Sequence, residues 1–295
     1  MADQAERLRE IVKENNTNNN PARVITITSG KGGVGKTNFA VNLGIALSKL
    51  GQKVLLVDAD LGLANVDVML GLISKYNLGH VLLGERKIAD IIINGPAGMR
   101  IIPGGSGMYK LANLGDKKLT QCLEYLNQLE KETDIILIDT GAGLSKNVLK
   151  FVLAAGEVII VTTPEPTAIT DAYGIIKVIT ASKRDLPIQV VVNMVKNEKE
   201  AKEVMERLSA VSQRFLGMDL EKLGFIPLDA VVPKAVKEQQ PFILGYPRSI
   251  VAQNISQIAT KLVNGDTRVL SGSVPFFQRL LGIFKQVDQN EHISS

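Results

Sequence analysis

The chain predicts a doubly wound α/β fold, a mostly parallel sheet with helices on both faces. Three observations predict it. Runs apolar without a break, such as Lys53-Val54-Leu55-Leu56-Val57-Asp58 and Asp134-Ile135-Ile136-Leu137-Ile138-Asp139, recur between stretches of helical periodicity. Strands with no polar face belong to parallel sheets buried by helices on both sides. A glycine-rich loop joins the first such run to the first helical pattern, and aspartates end later runs. Right-handed crossovers place all of these strand ends on one edge of the sheet.

Residues 2–14 carry a narrow apolar stripe of Ala5, Leu8, Ile11 and Val12, which predicts a short helix. Asn15 to Pro21 is a polar, low-complexity linker that cannot pack a core. Such a tethered helix either docks on its own body or serves as a ligand for a partner's groove. The body then alternates. Strands are predicted over 23–29, 53–58, 99–103, 134–139, 157–163, 188–194 and 223–227. Helices are predicted over 36–50, 116–131, 145–154, 170–183, 198–215 and 249–263. This divides the chain into an N-terminal helix and linker (1–22), an α/β body (23–266) and a hinge with a terminal helix (267–295).

The loop Gly30-Lys31-Gly32-Gly33-Val34-Gly35-Lys36-Thr37 fits G-x-x-x-x-G-K-[ST] in the strand–loop–helix setting of a phosphate-binding P-loop. Glycines allow the tight turn that aims successive N–H groups at one phosphate. The following helix adds its unpaired N–H groups and positive dipole end. Lys36 supplies a point charge to the outer phosphates, and the Thr37 hydroxyl is a ligand for Mg²⁺. Gly30, Gly32 and Gly35 also satisfy the dinucleotide fingerprint, with Asp58 placed as a ribose-binding acid. That alternative leaves Lys36 and Thr37 without a role, as does a purely structural glycine turn.

Asp58 ends one strand, Asp60 follows it, and Asp139 ends another. An apolar strand that delivers a carboxylate to the phosphate edge is the pattern of an acid holding Mg²⁺ directly or through water. Gly141 and Gly143 would let the next loop move with a γ-phosphate. Asn193 ends a later strand, and an amide can pair with the edge of adenine. No guanine-reading Asn-Lys-x-Asp follows it, which favours ATP. His80 and His292 stand apart and suggest no metal pair.

At 295 residues and 45% apolar content the chain can bury a large core. Lys and Arg number 34 against 30 acids, a net +4 that does not itself demand nucleic acid. One cysteine, Cys122, excludes an intrachain disulfide and reads as a small apolar helix residue. The charged first residues are unlike a signal peptide, and no run reaches the roughly 18 apolar residues of a membrane span. A cytoplasmic protein is expected.

After the hinge Ser271-Gly272-Ser273, residues Phe276, Phe277, Leu280, Leu281 and Phe284 fall on one face of a helix flanked by Arg279 and Lys285. A terminal helix usually packs on the core. The polar hinge, aromatic content and basic flanks suit instead a helix lying in a membrane's headgroup region.

Lys31 to Thr37 resembles the deviant Walker A motif of the MinD/ParA ATPases, in which Lys31 would be the signature lysine. Asp58-Ala59-Asp60-Leu61-Gly62-Leu63-Ala64-Asn65-Val66-Asp67 is similar to the FlhG-type flagellar-number regulators of that family. The resemblance implies a MinD-like P-loop fold and an ATP hydrolase with Mg²⁺. Residues 30–38, including Gly33, Val34 and Asn38, would bind ATP. Lys31 would reach a partner's phosphates in an ATP-sandwiched homodimer, while Lys36 would bind phosphate in its own subunit. Asp60 would orient the attacking water. Asp58 and Asp139 would support the switch loops and the metal's water shell. Asn193, Pro227 and Asp229 would flank adenine. Thr140-Gly141 departs from the proline often found after the switch acid. The resemblance further implies a terminal helix that takes the protein reversibly to the inner face of the cell membrane, and flagellar basal-body (C-ring) components as partners. It also implies stimulation of the GTPase FlhF, with Gln4 inserted near FlhF's catalytic site. A MinD-type division regulator and a ParA-type DNA-partitioning ATPase are the alternatives. The N-terminal extension speaks against the first, and the low charge with an apolar tail against the second.

Overall fold

The computed structural model describes residues 22–60, 66–72, 74–77, 80–81, 84–104, 116–265 and 274–293, with backbone alone for 116–121 and 285–293. The N-terminal helix with Gln4, its linker, residues 61–65 and the hinge at 266–273 lie outside the described residues. The strands are β1 (Arg23–Thr28), β2 (Val54–Ala59), β3 (Ile93–Asn94), β4 (Arg100–Ile102), β5 (Ile135–Thr140), β6 (Glu157–Thr162), β7 (Ile188–Val195) and β8 (Glu221–Pro227). They form one sheet in the order β3-β4-β2-β5-β1-β6-β7-β8. Every pairing is parallel except β3 with β4.

The helices are α1 (Lys36–Lys49), α2 (Val66–Met69), α3 (Asp116–Lys131), α4 (Lys146–Ala154), α5 (Pro166–Ser182), α6 (Glu198–Leu216), α7 (Val231–Lys237), α8 (Phe242–Gly245), α9 (Ile250–Asn264) and α10 (Phe276–Ile293). The helix expected over 170–183 begins at Pro166, because proline's fixed φ suits a first turn and its missing N–H is not needed there. The predicted doubly wound sheet is present. Ile25, Ile27, Leu56 and Leu137 pack on one face with α1, α8 and α9. Val24, Leu55, Val57, Ile136 and Ile138 pack on the other with α3, α4 and α10, beside a further cluster under α5 and α6. Cys122 is buried on α3 within that second face.

Two features fasten the sheet's flanks. Arg23 forks onto Glu157 of the neighbouring strand at 2.6 and 2.7 Å and onto the Leu262 carbonyl of α9, so a buried charge pair pins that helix. On the outer strand β8, the carbonyls of Phe225 and Lys222 accept from Asn254 (3.0 Å) and Lys261 of α9.

The terminal helix α10 lies against α3 and α4. Phe276, Phe277, Leu280, Leu281 and Phe284, the residues expected to meet a membrane, are at most 4% exposed. Protein covers that face in this state. Five large apolar side chains left in water would forgo roughly 1.5–3 kcal/mol each. Phe151 meets the Phe284 ring edge-on with centroids 6.0 Å apart, and the Lys150 ammonium sits 4.4 Å from its centroid. At the helix start, the buried Glu130 carboxylate accepts the Phe276 N–H at 2.9 Å, an anion on the positive end of the helix. Burial raises the Glu130 pKa, while the Phe276 and Phe277 amides and the Arg279 guanidinium oppose the rise. Burial in turn lowers the pKa of Arg279 and of Lys183, the latter further depressed by Arg279. A carboxyl with a raised folded pKa binds its proton more readily in the folded state. Its stabilisation is therefore complete below the ordinary value of 4.5 and is lost as pH rises through the folded value. Urea midpoints measured from mildly acid to neutral pH should show this decline in the wild type and a shallower one in Glu130→Gln. Identical slopes would exclude Glu130 as the source.

Candidate functional site

β1 ends at Thr28, and the chain turns at once into the glycine loop. Two glycines there are required by space. A Cβ on Gly30 would come within 2.3 Å of the Asp171 backbone on α5, and one on Gly35 within 2.4 Å of Asn193 Nδ2. Gly35 also stands at φ +85° as the N-cap of α1, a conformation side chains resist. No side chain caps α1, so its first N–H groups, which have no partner within the helix, are left to the glycine loop's side. The loop opens on a cleft of about 640 Å³.

Inside, the Lys36 ammonium lies 3.0 Å from Asp139 Oδ1, both groups almost fully buried. The second oxygen, Asp139 Oδ2, is buried without a hydrogen-bond partner. Burial raises the Asp139 pKa; the Lys36 ammonium and then the Thr37 hydroxyl work against it, and Asp60 adds to it. Asp58 and Asp139 stand side by side in register on β2 and β5. Asp58 is buried and accepts the Asp60 N–H at 3.0 Å, fixing the direction in which Asp60 leaves the sheet. Asp60 reaches the cleft, where a Cβ on Gly141 would lie 3.4 Å from its carboxylate. Gly143 donates to the Ser29 carbonyl at 2.9 Å, tying the loop after β5 to the root of the glycine loop.

Lys31 points elsewhere. Its ammonium rests on Glu165 at 2.8 Å and on the Thr167 hydroxyl at 3.1 Å, about two-fifths exposed. Asn193 uses its amide to brace the loop: Nδ2 donates to the Val34 carbonyl at 2.7 Å, and Oδ1 accepts the Met194 N–H at 2.9 Å. Pro227 and Asp229 lie at the end of β8, where Asp229 accepts the Val231 N–H at the start of α7. The residues 31–38 and Asp60 thus line the cleft together; Asp58, Asp139, Asn193, Pro227 and Asp229 are not among its lining residues. Sequence reasoning missed Ala142, Val68 and Met69 of α2, and Val236, Lys237 and Gln239 at the end of α7. Helices this short carry no readable periodicity.

The donor set fits phosphate and Mg²⁺. A cradle of N–H groups and Lys36 suits phosphate, and the Thr37 hydroxyl with the unpartnered Asp139 oxygen offers hard oxygen donors. Among the described residues no cluster of three His, Cys, Asp or Glu forms a metal cage. Mg²⁺ needs none, since it is held by one or two protein oxygens plus phosphates and water.

Residues 22–192 match a family model described as an AAA domain. The chain is 40% identical over 242 residues to the antiactivator FleN of Pseudomonas aeruginosa, covering 82% of this chain and 86% of that one. It is 38% identical over 293 residues to the flagellum site-determining protein YlxH of Helicobacter pylori, covering 95% and 99%. The chain belongs to the FleN/YlxH group of the MinD/ParA ATPases. The fold of this family extends to the septum site-determining protein MinD of Pyrococcus horikoshii, solved with Mg-ADP. That structure matches with a TM-score of 0.64 at 30% identity, over 82% of this chain and 96% of the other. Within the FleN/YlxH group, Lys31 and Lys36 occupy one loop yet face different partners in this chain.

Asn193→Ala should cost about 1–3 kcal/mol, because it leaves the buried Val34 carbonyl unpaired. A urea titration checks this as a lower midpoint at unchanged slope.

Proposed function

We propose that this chain is an ATP-driven switch that sets flagellar number and placement. The observation that carries this is the divergence of the two lysines. Lys36 is held inside on Asp139, and Lys31 waits on the rim on Glu165. A phosphate in the cradle would replace Asp139 as the counter-charge of Lys36. Asp139, with Asp58 behind it, would then turn to the metal's water shell beside Thr37. Bound Mg²⁺ would neutralise charge on the outer phosphates. Asp60 would orient the water that attacks. Lys31 would exchange Glu165 for the phosphates of a second copy, closing a homodimer over two nucleotides. Asn193 would hold the loop while Pro227 and Asp229 flank the base. Hydrolysis removes the shared phosphate contact and opens the dimer. Positioning and electrostatics supply most of the rate in such chemistry.

The C-terminal helix would be the output. Its apolar face, docked on α3 and α4, suits lipid equally well. Two such helices on one dimer bind a membrane with avidity that a single helix lacks. Among the described residues no helix is long and apolar enough to cross a membrane, so contact with the cell membrane's inner face would be peripheral. The name of one relative, a flagellum site-determining protein, supports a flagellar setting. Basal-body components of the C-ring are the proposed docking partners. Through Gln4, the N-terminal segment would stimulate the GTPase FlhF.

Asp60→Ala should bind ATP without turning it over. It should run as a dimer with ATP and a monomer with ADP, and pellet with anionic liposomes more with ATP than with ADP. Equal pelleting with both nucleotides, or none, would overturn the coupling. Separately, a peptide of residues 1–20 should raise GTP hydrolysis by FlhF, and the same peptide carrying Gln4→Ala should not.

A further inference from the structure

Two helix ends meet at the mouth of the cleft. After α2, the chain turns back through Gly71 at φ +62°; its N–H donates to the Val68 carbonyl at 3.2 Å, and Leu72 donates to the Asp67 carbonyl at 2.9 Å. After α7, it turns back through Gln239 at φ +51°; its N–H donates to the Val236 carbonyl at 3.1 Å, and Gln240 donates to the Ala235 carbonyl at 3.0 Å. Both are left-handed helix caps of the kind that glycine ordinarily serves. One has glycine and the other has glutamine.

The two caps touch. A Cβ on Gly71 would lie 3.5 Å from the Gln239 Cβ and from its carbonyl oxygen. Across this contact, Gln239 Nε2 donates to the Val68 carbonyl at 3.0 Å. The Val68 carbonyl already accepts the Gly71 N–H, and Gln239 brings it a second donor, so the glutamine caps a second helix with its side chain while its backbone caps its own. A strained left-handed residue is kept where its side chain is needed. The need is local. Four-residue α2 cannot hold itself by its own hydrogen bonds, and Val66 is its one buried residue. Val68 and Met69 form one part of the cleft wall, and Val236, Lys237 and Gln239 form another.

We propose that Gln239 is a positioning residue. Its amide clamps α2 to α7, so that the mouth of the nucleotide cleft is formed before the triphosphate arrives. This rests on the ATP-binding reading above.

The test uses the full-length chain, a fluorescent mant-ATP probe and thermal melting of the nucleotide-free protein. Gln239→Met keeps the length and the backbone strain but loses the donor. Gln239→Gly loses the donor and relieves the strain. Both should weaken mant-ATP binding about fivefold, the size of one net hydrogen bond. Their melting temperatures should diverge, with Gln239→Gly equal to or above the wild type and Gln239→Met not raised. Affinity that follows the melting temperature, with Gln239→Gly binding as the wild type does, would overturn the clamp and leave a purely structural role. Unaltered binding in both variants would overturn it as well. A wild type that fails to bind the probe would overturn the ATP reading itself.

Discussion

Lysine and aspartate are costly to bury, and Lys36 and Asp139 are both buried at the centre of the sheet's loop edge. Removing one member of such a pair leaves an uncompensated charge, a cost of about 3–5 kcal/mol. The pair can therefore dissolve only when another opposite charge takes over. That requirement makes the cradle selective. On the reading proposed above, a neutral ligand would fill the space without freeing Lys36, whereas a phosphate would free Asp139 as it captures the lysine. The unpartnered Asp139 oxygen fits the same reading, as a donor that a bound cation would use. The parallel register of β2 and β5 brings Asp58 alongside, and Asp58 aims the backbone of Asp60. On the proposed reading, the positions of nucleotide, metal and water would all descend from this one buried contact.

The second constraint is the docked terminal helix. Its apolar face is satisfied by the α3–α4 surface, with Glu130 at its first turn and Lys150 over Phe284. If lipid also satisfies that face, as proposed above, the helix would be a bistable element whose equilibrium is set by anything that binds one arrangement better than the other. Burial raises the pKa of Glu130 and lowers that of Arg279 at this contact, so charge as well as apolar area enters its energetics.

Much of this was legible from residues. Lys53 to Asp58 and Asp134 to Asp139 announce buried parallel strands, since no polar face is spared, and both became central strands. The glycine loop is legible because its spacing has a mechanism. Other parts lacked a one-dimensional signal. The two-residue β3 and the short α2, α7 and α8 have no periodicity. Asn193 reads as a strand-end amide, but its bond to Val34 joins residues far apart in the chain. Phe276 to Phe284 spell a helix with one apolar face, and lipid and protein ask for the same letters there. Gln239 gave no hint, because its meaning lies in a positive φ and a neighbouring helix end.

One outer border of the sheet is the two-residue β3. On the opposite border, β8, carbonyls are occupied by Asn254 and Lys261. A short rim and a blocked rim are both poor templates for a foreign strand. Copies of this chain can therefore be crowded together without their sheets fusing into a continuous ribbon. Reversible crowding is open to such a molecule, and fibre growth along the strand-pairing direction is discouraged by its construction.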